Sequence, residues 1–152
     1  MRDILSNEAL VASITAWALA QLSKAALPFF RGKGFQARLL VGSGGMPSSH
    51  SSFVSGLATG VALIDGTGSA AFAVAAVFAL VVMYDAAGVR RAVSEQAAIL
   101  NRIVQELKLK RPLTEVGLEL RELVGHTPYQ VIIGGLMGII VAWVWVLTFG
   151  HR

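Results

Sequence analysis

The chain has 152 residues, of which 55% are hydrophobic and 14% charged, and its formal net charge is +4. Soluble domains carry about 25% charged residues, so the composition indicates an integral membrane protein, and the length suits one domain over residues 1–152. The sequence contains no cysteine, which excludes disulfides, zinc–thiolate sites and cysteine nucleophiles. The basic residues lie between apolar segments, which favours anionic lipid or phosphate over nucleic acid as a partner.

Four apolar segments predict about four membrane-spanning helices in an all-α bundle. They run over Ile4–Leu22, Ser51–Ile64, Ser69–Val89 and Tyr129–Phe149. The second has about 14 residues against the roughly 20 that cross a bilayer, so earlier residues complete it or the preceding loop enters the membrane. Gly56-x-x-x-Gly60 and Gly134-x-x-x-Gly138 permit close approach of helix backbones and leave homo-oligomerisation through these faces open.

Lysine and arginine residues are concentrated on one predicted side of the membrane. Seven of the 13 lie between the third and fourth spans, and four lie in the loop after the first span, namely Lys24, Arg31, Lys33 and Arg38. The positive-inside rule therefore predicts that both loops are cytoplasmic and that both termini are outside.

The polar region between the third and fourth spans has a helical period. Its apolar residues recur every three or four positions, at Val93, Ala97, Leu100, Val104 and Leu107. The charged residues Arg91, Glu95, Arg102 and Glu106 fall elsewhere on the helical wheel. The pattern predicts a cytoplasmic amphipathic helix that lies on the membrane surface or packs in a helical hairpin. Pro112 suits the start of a second helix.

A glycine- and serine-rich segment precedes the second span and reads G-S-G-G-M-P-S-S-H-S-S over Gly42–Ser52. Gly45 permits an unusual backbone angle, and Ser48 or Ser49 is expected to cap the following helix. Hydroxyls and free N–H groups at a helix start form an anion site that His50, in the first turn, can reach. The alternative is an ordinary connector with an incidental histidine.

Two histidines, His50 and His126, are each predicted to lie at the cytoplasmic boundary just before a membrane helix. Histidines beside arginines suit phosphoryl transfer, since one imidazole attacks phosphorus and the other protonates the leaving oxygen. Arg90 and Arg91 follow the third span. They are expected either to bind phosphate or only to mark the cytoplasmic end of the span. Asp85, near the same interface, needs a partner for its carboxylate.

Several separated segments resemble the divergent PAP2 family, small bacterial and plastid membrane proteins related to acid phosphatases and vanadium haloperoxidases. They read G-G-M-P-S-S-H-S, V-M-Y-D-A-A-G-V-R-R, Q-A-A-I-L-N and E-L-V-G-H-T-P-Y-Q-V-I-I-G-G-L-M-G, within roughly Gly44 to Gly138. The resemblance implies a PAP2-like bundle in a bacterial cell membrane. It also implies hydrolysis of a lipid phosphate or diphosphate without metal or cofactor.

The residue roles follow from two superfamily motifs, Pro-Ser-Gly-His and Ser-Arg-x5-His-x3-Asp. The stretch ending in His50 resembles the first, with Ser49 in place of glycine, and the stretch from His126 resembles the end of the second. The resemblance implies that His126 is the nucleophile that forms a phosphohistidine and that His50 is the general acid. Gln130 stands where the pattern has an acidic residue that orients the nucleophile, and the Ser-Arg pair is missing.

The phosphate clamp is harder to place from the sequence. We find no Lys-x6-Arg-Pro motif ahead of the histidines, so the expected phosphate-binding residues are Gly45, Ser48, Ser49, Arg38, Arg90 and Arg91. Gln130 and Asp85 are expected to orient catalytic groups. The alternative function is a non-catalytic phospholipid- or anion-binding membrane protein that retains the pocket.

Overall fold

The computed structural model describes residues 2–29, 32, 34, 37–40, 45–106 and 126–150, without the side chains of residues 2, 3, 37, 38, 90, 91 and 104–106. Within these ranges the regular elements are helical, which confirms the predicted all-α class. In chain order the helices are α1 (Arg2–Leu5), α2 (Glu8–Ala26), α3 (Ser49–Ile64), α4 (Ala70–Ala87), α5 (Val89–Glu106) and α6 (Pro128–Phe149), with a 3-10 turn at Ala37–Leu40. The proposed second cytoplasmic helix from Pro112 lies outside the described residues.

Three helical segments are long and apolar enough to cross a membrane, namely Glu8–Ala26, Ala70–Ile103 and Pro128–Phe149. They correspond to the first, third and fourth predicted spans. The second predicted span is α3, which has 16 residues and is therefore shorter than the roughly 20 residues of a typical span. α3 nevertheless lies at the centre of the bundle, because α2, α4 and α6 all pack against it.

The first predicted helix boundary was wrong. The chain leaves the helical path at Ser6, and Asn7 then caps α2 by accepting the N–H of Leu10 at 3.0 Å. An asparagine that bonds locally in this way competes with continuation of the helix and starts a new one. α2 consequently begins at Glu8 and extends to Ala26, so that Lys24, which was expected in the following loop, belongs to its last turn.

The α3–α6 pair is parallel and closely packed. The Ser48 N–H at the start of α3 donates to the Gln130 carbonyl in the first turn of α6 at 3.1 Å, so both helices begin at the same end of the bundle. A Cβ atom at Gly134 would collide with the Ser48 carbonyl, and one at Gly138 would collide with the Ser52 carbonyl. This confirms the predicted close backbone approach at the Gly134-x-x-x-Gly138 pair.

Serine hydroxyls join α3 to its neighbours. Ser52 Oγ donates to the Ala16 carbonyl of α2 at 3.0 Å, and Ser55 Oγ donates to the Gly135 carbonyl of α6 at 2.9 Å. Both serines are buried. In an apolar bundle, such hydrogen bonds satisfy polar groups that would otherwise be costly to bury. They help to hold the site end of the bundle in one arrangement.

Candidate functional site

The fold brings His50 and His126 together, although 75 residues separate them in sequence. Their ring centroids are 6.5 Å apart and the rings are tilted by 58°. His50 lies exposed in the first turn of α3, and His126 is 3% exposed just before α6. Two contacts of about 3–3.5 Å, one from each ring to an atom between them, add up to a length similar to this ring separation. Both imidazoles can therefore contact the same small group.

Gln130 determines which ring nitrogen of His126 carries the proton. Its side-chain Oε1 accepts the Thr127 main-chain N–H at 3.1 Å, and the same oxygen lies 3.2 Å from His126 Nδ1. A backbone N–H can only donate, so the amide atom facing it is the oxygen and not the nitrogen. Nδ1 must then be the donor to that oxygen. The neutral imidazole consequently presents its lone pair on Nε2.

Two main-chain features hold this arrangement in place. The His126 N–H donates to the Ala86 carbonyl at the end of α4 at 3.2 Å. Thr127 and Gln130 form a capping box, in which each side chain accepts the other residue's backbone N–H. Gln130 thus contacts the imidazole in the manner expected for the orienting residue, but without a negative charge. Asp85, the second residue expected to orient the site, is half-buried next to Ala86.

From Gly45 onward, where the structure describes the segment before α3, the predicted backbone angle and helix cap are present. Gly45 has φ of +81°, a left-handed conformation that L side chains rarely adopt. Ser48 caps α3 by accepting the Ser51 N–H at 3.4 Å. The Ser48 and Ser49 side chains are buried at the helix start. The first turn of α3 therefore presents backbone N–H groups beside His50.

Lys24 enters this site from the last turn of α2. It is 2% exposed, and its Nζ donates to Ser49 Oγ at 3.4 Å. The aliphatic part of the side chain packs against Gly45, where an added Cβ would lie 3.2 Å from Lys24 Cγ. Gly45 is therefore needed both for its backbone angle and for the space that the lysine occupies.

The electrostatics of the site favour an anion. Each helix start carries a partial positive charge of roughly half a unit from its unpaired N–H groups. The parallel α3 and α6 place two such starts side by side, and Lys24 adds an ammonium group. The last turns of α2 and α4 reach the same end of the bundle, through Lys24 and the Ala86 carbonyl, and their partial negative charges offset part of this field. The first-turn N–H groups and the Lys24 ammonium are the donors that suit a phosphate oxygen or other anion.

Comparison with known proteins agrees with the motifs. The sequence profile described as the Divergent PAP2 family matches residues 5–141. The chain belongs to this family. It is also 40% identical over 148 residues, 91% of this chain and 94% of the relative, to the uncharacterized membrane protein YuiD of Bacillus subtilis (strain 168). That match and the three apolar helices support an integral membrane location. No solved structure matches the chain.

Sequence reasoning missed Lys24 as a site residue in this divergent PAP2 protein. The signal was present, since six residues separate Lys24 from Arg31, which is the spacing of Lys-x6-Arg in the superfamily motif. Gly32 stands where that motif has proline, so the sequence matches the motif only at its lysine and arginine. The lysine also ends an apolar helix, a position at which a buried charge needs an explanation.

The remaining expected phosphate ligands are the three arginines. The structure describes the backbone of Arg38, Arg90 and Arg91 but not their side chains. Arg31 and Lys33 lie outside the described residues. Of the expected phosphate-binding residues, Gly45, Ser48 and Ser49 are those that the described structure places at the start of α3, and Lys24 joins them.

Proposed function

We propose that this divergent PAP2 protein is a membrane-embedded phosphatase that hydrolyses a lipid phosphate or diphosphate through a phosphohistidine intermediate. The observation that carries the proposal is the pairing of His126 and His50 at 6.5 Å, with Nδ1 of His126 donating to Gln130 Oε1, so that the lone pair lies on Nε2, the nitrogen proposed to attack. Both histidines stand at the starts of parallel helices that favour a bound anion.

The chemistry has two steps. In the first, His126 Nε2 attacks phosphorus, the bond from phosphorus to the leaving oxygen breaks, and protonated His50 gives that oxygen its proton. In the second, His50 takes a proton from water as the water oxygen attacks the phosphohistidine. The nitrogen–phosphorus bond then breaks, inorganic phosphate leaves, and both histidines regain their starting states.

Positive groups at the site are suited to holding the phosphoryl oxygens while charge moves. Lys24 donates to Ser49, which precedes His50 in the first turn of α3, and the Ser49 hydroxyl adds to the N–H groups of that turn. Preorganised donors of this kind stabilise developing negative charge most strongly where water is excluded. The burial of Lys24 and Ser49 supports such a role.

A lipid phosphate fits the location of the site. The two histidines lie at one end of helices whose outer faces carry large exposed apolar residues, such as Val77 and Leu80 on α4 and Ile132 and Leu136 on α6. In a membrane, these faces contact acyl chains. A substrate with an acyl or prenyl tail can keep the tail in the bilayer while its headgroup reaches His50.

Gln130 favours a second candidate function, which is phosphate or phospholipid binding without turnover. An acidic residue at this position would stabilise the imidazolium form of His126 by charge, whereas an amide provides only a hydrogen bond. Under this alternative the helix starts and Lys24 still bind an anion, but the nucleophile is too weakly activated to complete the reaction.

Phosphate release by the purified protein in lipid nanodiscs distinguishes the two functions. The panel contains phosphatidic acid, phosphatidylglycerol phosphate and a polyprenyl diphosphate, and wild type is compared with Gln130→Glu. We expect wild type to release phosphate from at least one of the three. If wild type binds vanadate without releasing phosphate and Gln130→Glu gains turnover, the binding function is correct and the phosphatase proposal fails.

The Lys24→Met substitution tests the phosphate-holding role of the buried ammonium. Methionine keeps a long aliphatic stem to pack against Gly45 and removes only the charge. Hydrogen bonds to charged groups contribute about 1.5–3 kcal/mol, so vanadate or phosphate binding is expected to weaken by about 10- to 100-fold. Isothermal titration measures the affinity, and the thermal unfolding midpoint without anion checks the fold. Unchanged affinity in a folded variant would exclude the role.

A further inference from the structure

α5 carries an apolar face that no other described helix covers. Val89, Val93, Leu100 and Ile103 are spaced four, seven and three residues apart, which places them along one side of the helix. Their side chains are 53%, 48%, 50% and 47% exposed, respectively. We call these four residues the apolar face of α5. Four large aliphatic side chains in a row on one helix form a continuous patch that marks an interaction surface.

The other sides of α5 have different surroundings. Ala97 and Asn101 are buried on the side next to the apolar face. Glu95 and Arg102 are exposed on the side opposite to it. The helix thus has a packed side, an exposed apolar side and an exposed charged side. This is the division expected where protein, lipid and water meet along one helix.

The position of α5 in the chain places it at the membrane boundary. α4 has 18 residues, so its length is about 27 Å at 1.5 Å per residue, close to the roughly 30 Å of a bilayer's hydrocarbon core. Only Gly88 separates α4 from α5. Among the described helices, α5 contacts α4 alone. With α4 as the spanning helix, its length brings the start of the apolar face to the edge of the hydrocarbon region.

We propose that α5 lies in the headgroup layer of the membrane that α4 crosses, with its apolar face against the acyl chains and its charged side toward water. The sequence of α5 carries Arg90, Arg91 and Arg102 against Glu95 and Glu106, a net positive charge that suits anionic lipid headgroups. The occupant of the apolar face is thus the bilayer itself. The proposal does not depend on the phosphatase activity.

Site-directed spin labelling tests the proposal directly, because the chain contains no cysteine and each variant has a single labelling site. The apolar-face variants are Val93→Cys, Leu100→Cys and Ile103→Cys, and the matched controls are Glu95→Cys and Arg102→Cys on the same helix. Each labelled protein is reconstituted in vesicles that contain phosphatidylglycerol. Collision rates of the nitroxide with oxygen, which partitions into lipid, and with a water-soluble nickel chelate are then measured.

The expected result is a several-fold higher ratio of oxygen to nickel collisions at the three apolar-face positions than at the two controls. Equal access of nickel to all five positions would show that α5 stands in water and would overturn the proposal. Low access of both reagents at the apolar face, with dipolar broadening between labels, would show a second copy of the chain there and would also overturn it. Circular dichroism identifies any variant that fails to fold. Such a variant is replaced by Val89→Cys, which labels the fourth residue of the apolar face.

Discussion

Replacing His126 by alanine is expected to abolish phosphate release, with turnover lower by about 10⁴-fold or more, because the variant lacks the atom that forms the covalent intermediate. The buried imidazole donates through Nδ1 to Gln130, so Nε2 is the nitrogen that acts as nucleophile in the proposed mechanism. Release of inorganic phosphate from the best substrate of the lipid panel measures the loss. His151→Ala, a change in the C-terminal tail, is the control and should leave turnover unchanged.

Loss of His50 is expected to reduce turnover by an amount that depends on the leaving group, which distinguishes a general acid from a nucleophile. A general acid contributes about 10²–10⁴-fold when the leaving oxygen needs a proton, and much less when the leaving group is already a stable anion. His50→Ala should therefore still form the phosphohistidine from para-nitrophenyl phosphate but lose activity on lipid phosphates, whose leaving group is an alcohol. His126→Ala should fail on both substrates. Equal turnover in His126→Ala and wild type would contradict the mechanism.

The elements of the fold that depend on local sequence could be predicted. Long apolar runs located the spans to within a few residues, and the serine before α3 was recognised as a helix cap. The Gly134-x-x-x-Gly138 spacing indicated a close helix contact, and the structure shows backbone atoms of α3 against both glycines. These features follow from hydrophobic periodicity, capping and side-chain size, which act over a few residues.

The features that the sequence did not reveal depend on contacts between distant segments. The predicted spans put His50 and His126 at the same membrane boundary and the family motifs assigned them one reaction, but neither could show that the two rings are close together. Lys24 was assigned to a loop because helix α2 was expected to end at Leu22, four residues before its observed end at Ala26. That error concealed a buried lysine beside Ser49. Helix ends are where local patterns are weakest, and here the helix end lies at the site.

A methyl group added at Gly134 is expected to destabilise the bundle. The new Cβ of Gly134→Ala would collide with the Ser48 carbonyl and lie 3.0 Å from the Ser48 Cβ. Ser48 cannot easily retreat, because its N–H bonds to Gln130 across the same contact. Overpacking of this kind costs about 1–3 kcal/mol. The thermal unfolding midpoint in detergent should therefore fall.

The neighbouring glycine is the matched control, since the two positions differ in what they face and not in helix propensity. A Cβ at Gly135 would lie 3.5 Å from Met83 Sδ, an ordinary contact. Alanine is favoured over glycine within a helix by up to about 1 kcal/mol, so Gly135→Ala should leave the midpoint unchanged or raise it. A Gly134→Ala protein that unfolds at the wild-type temperature would contradict the tight α3–α6 contact.

Because Ser48 precedes the turn that carries His50, the same substitution should also move the two histidines apart and reduce turnover in the protein that remains folded.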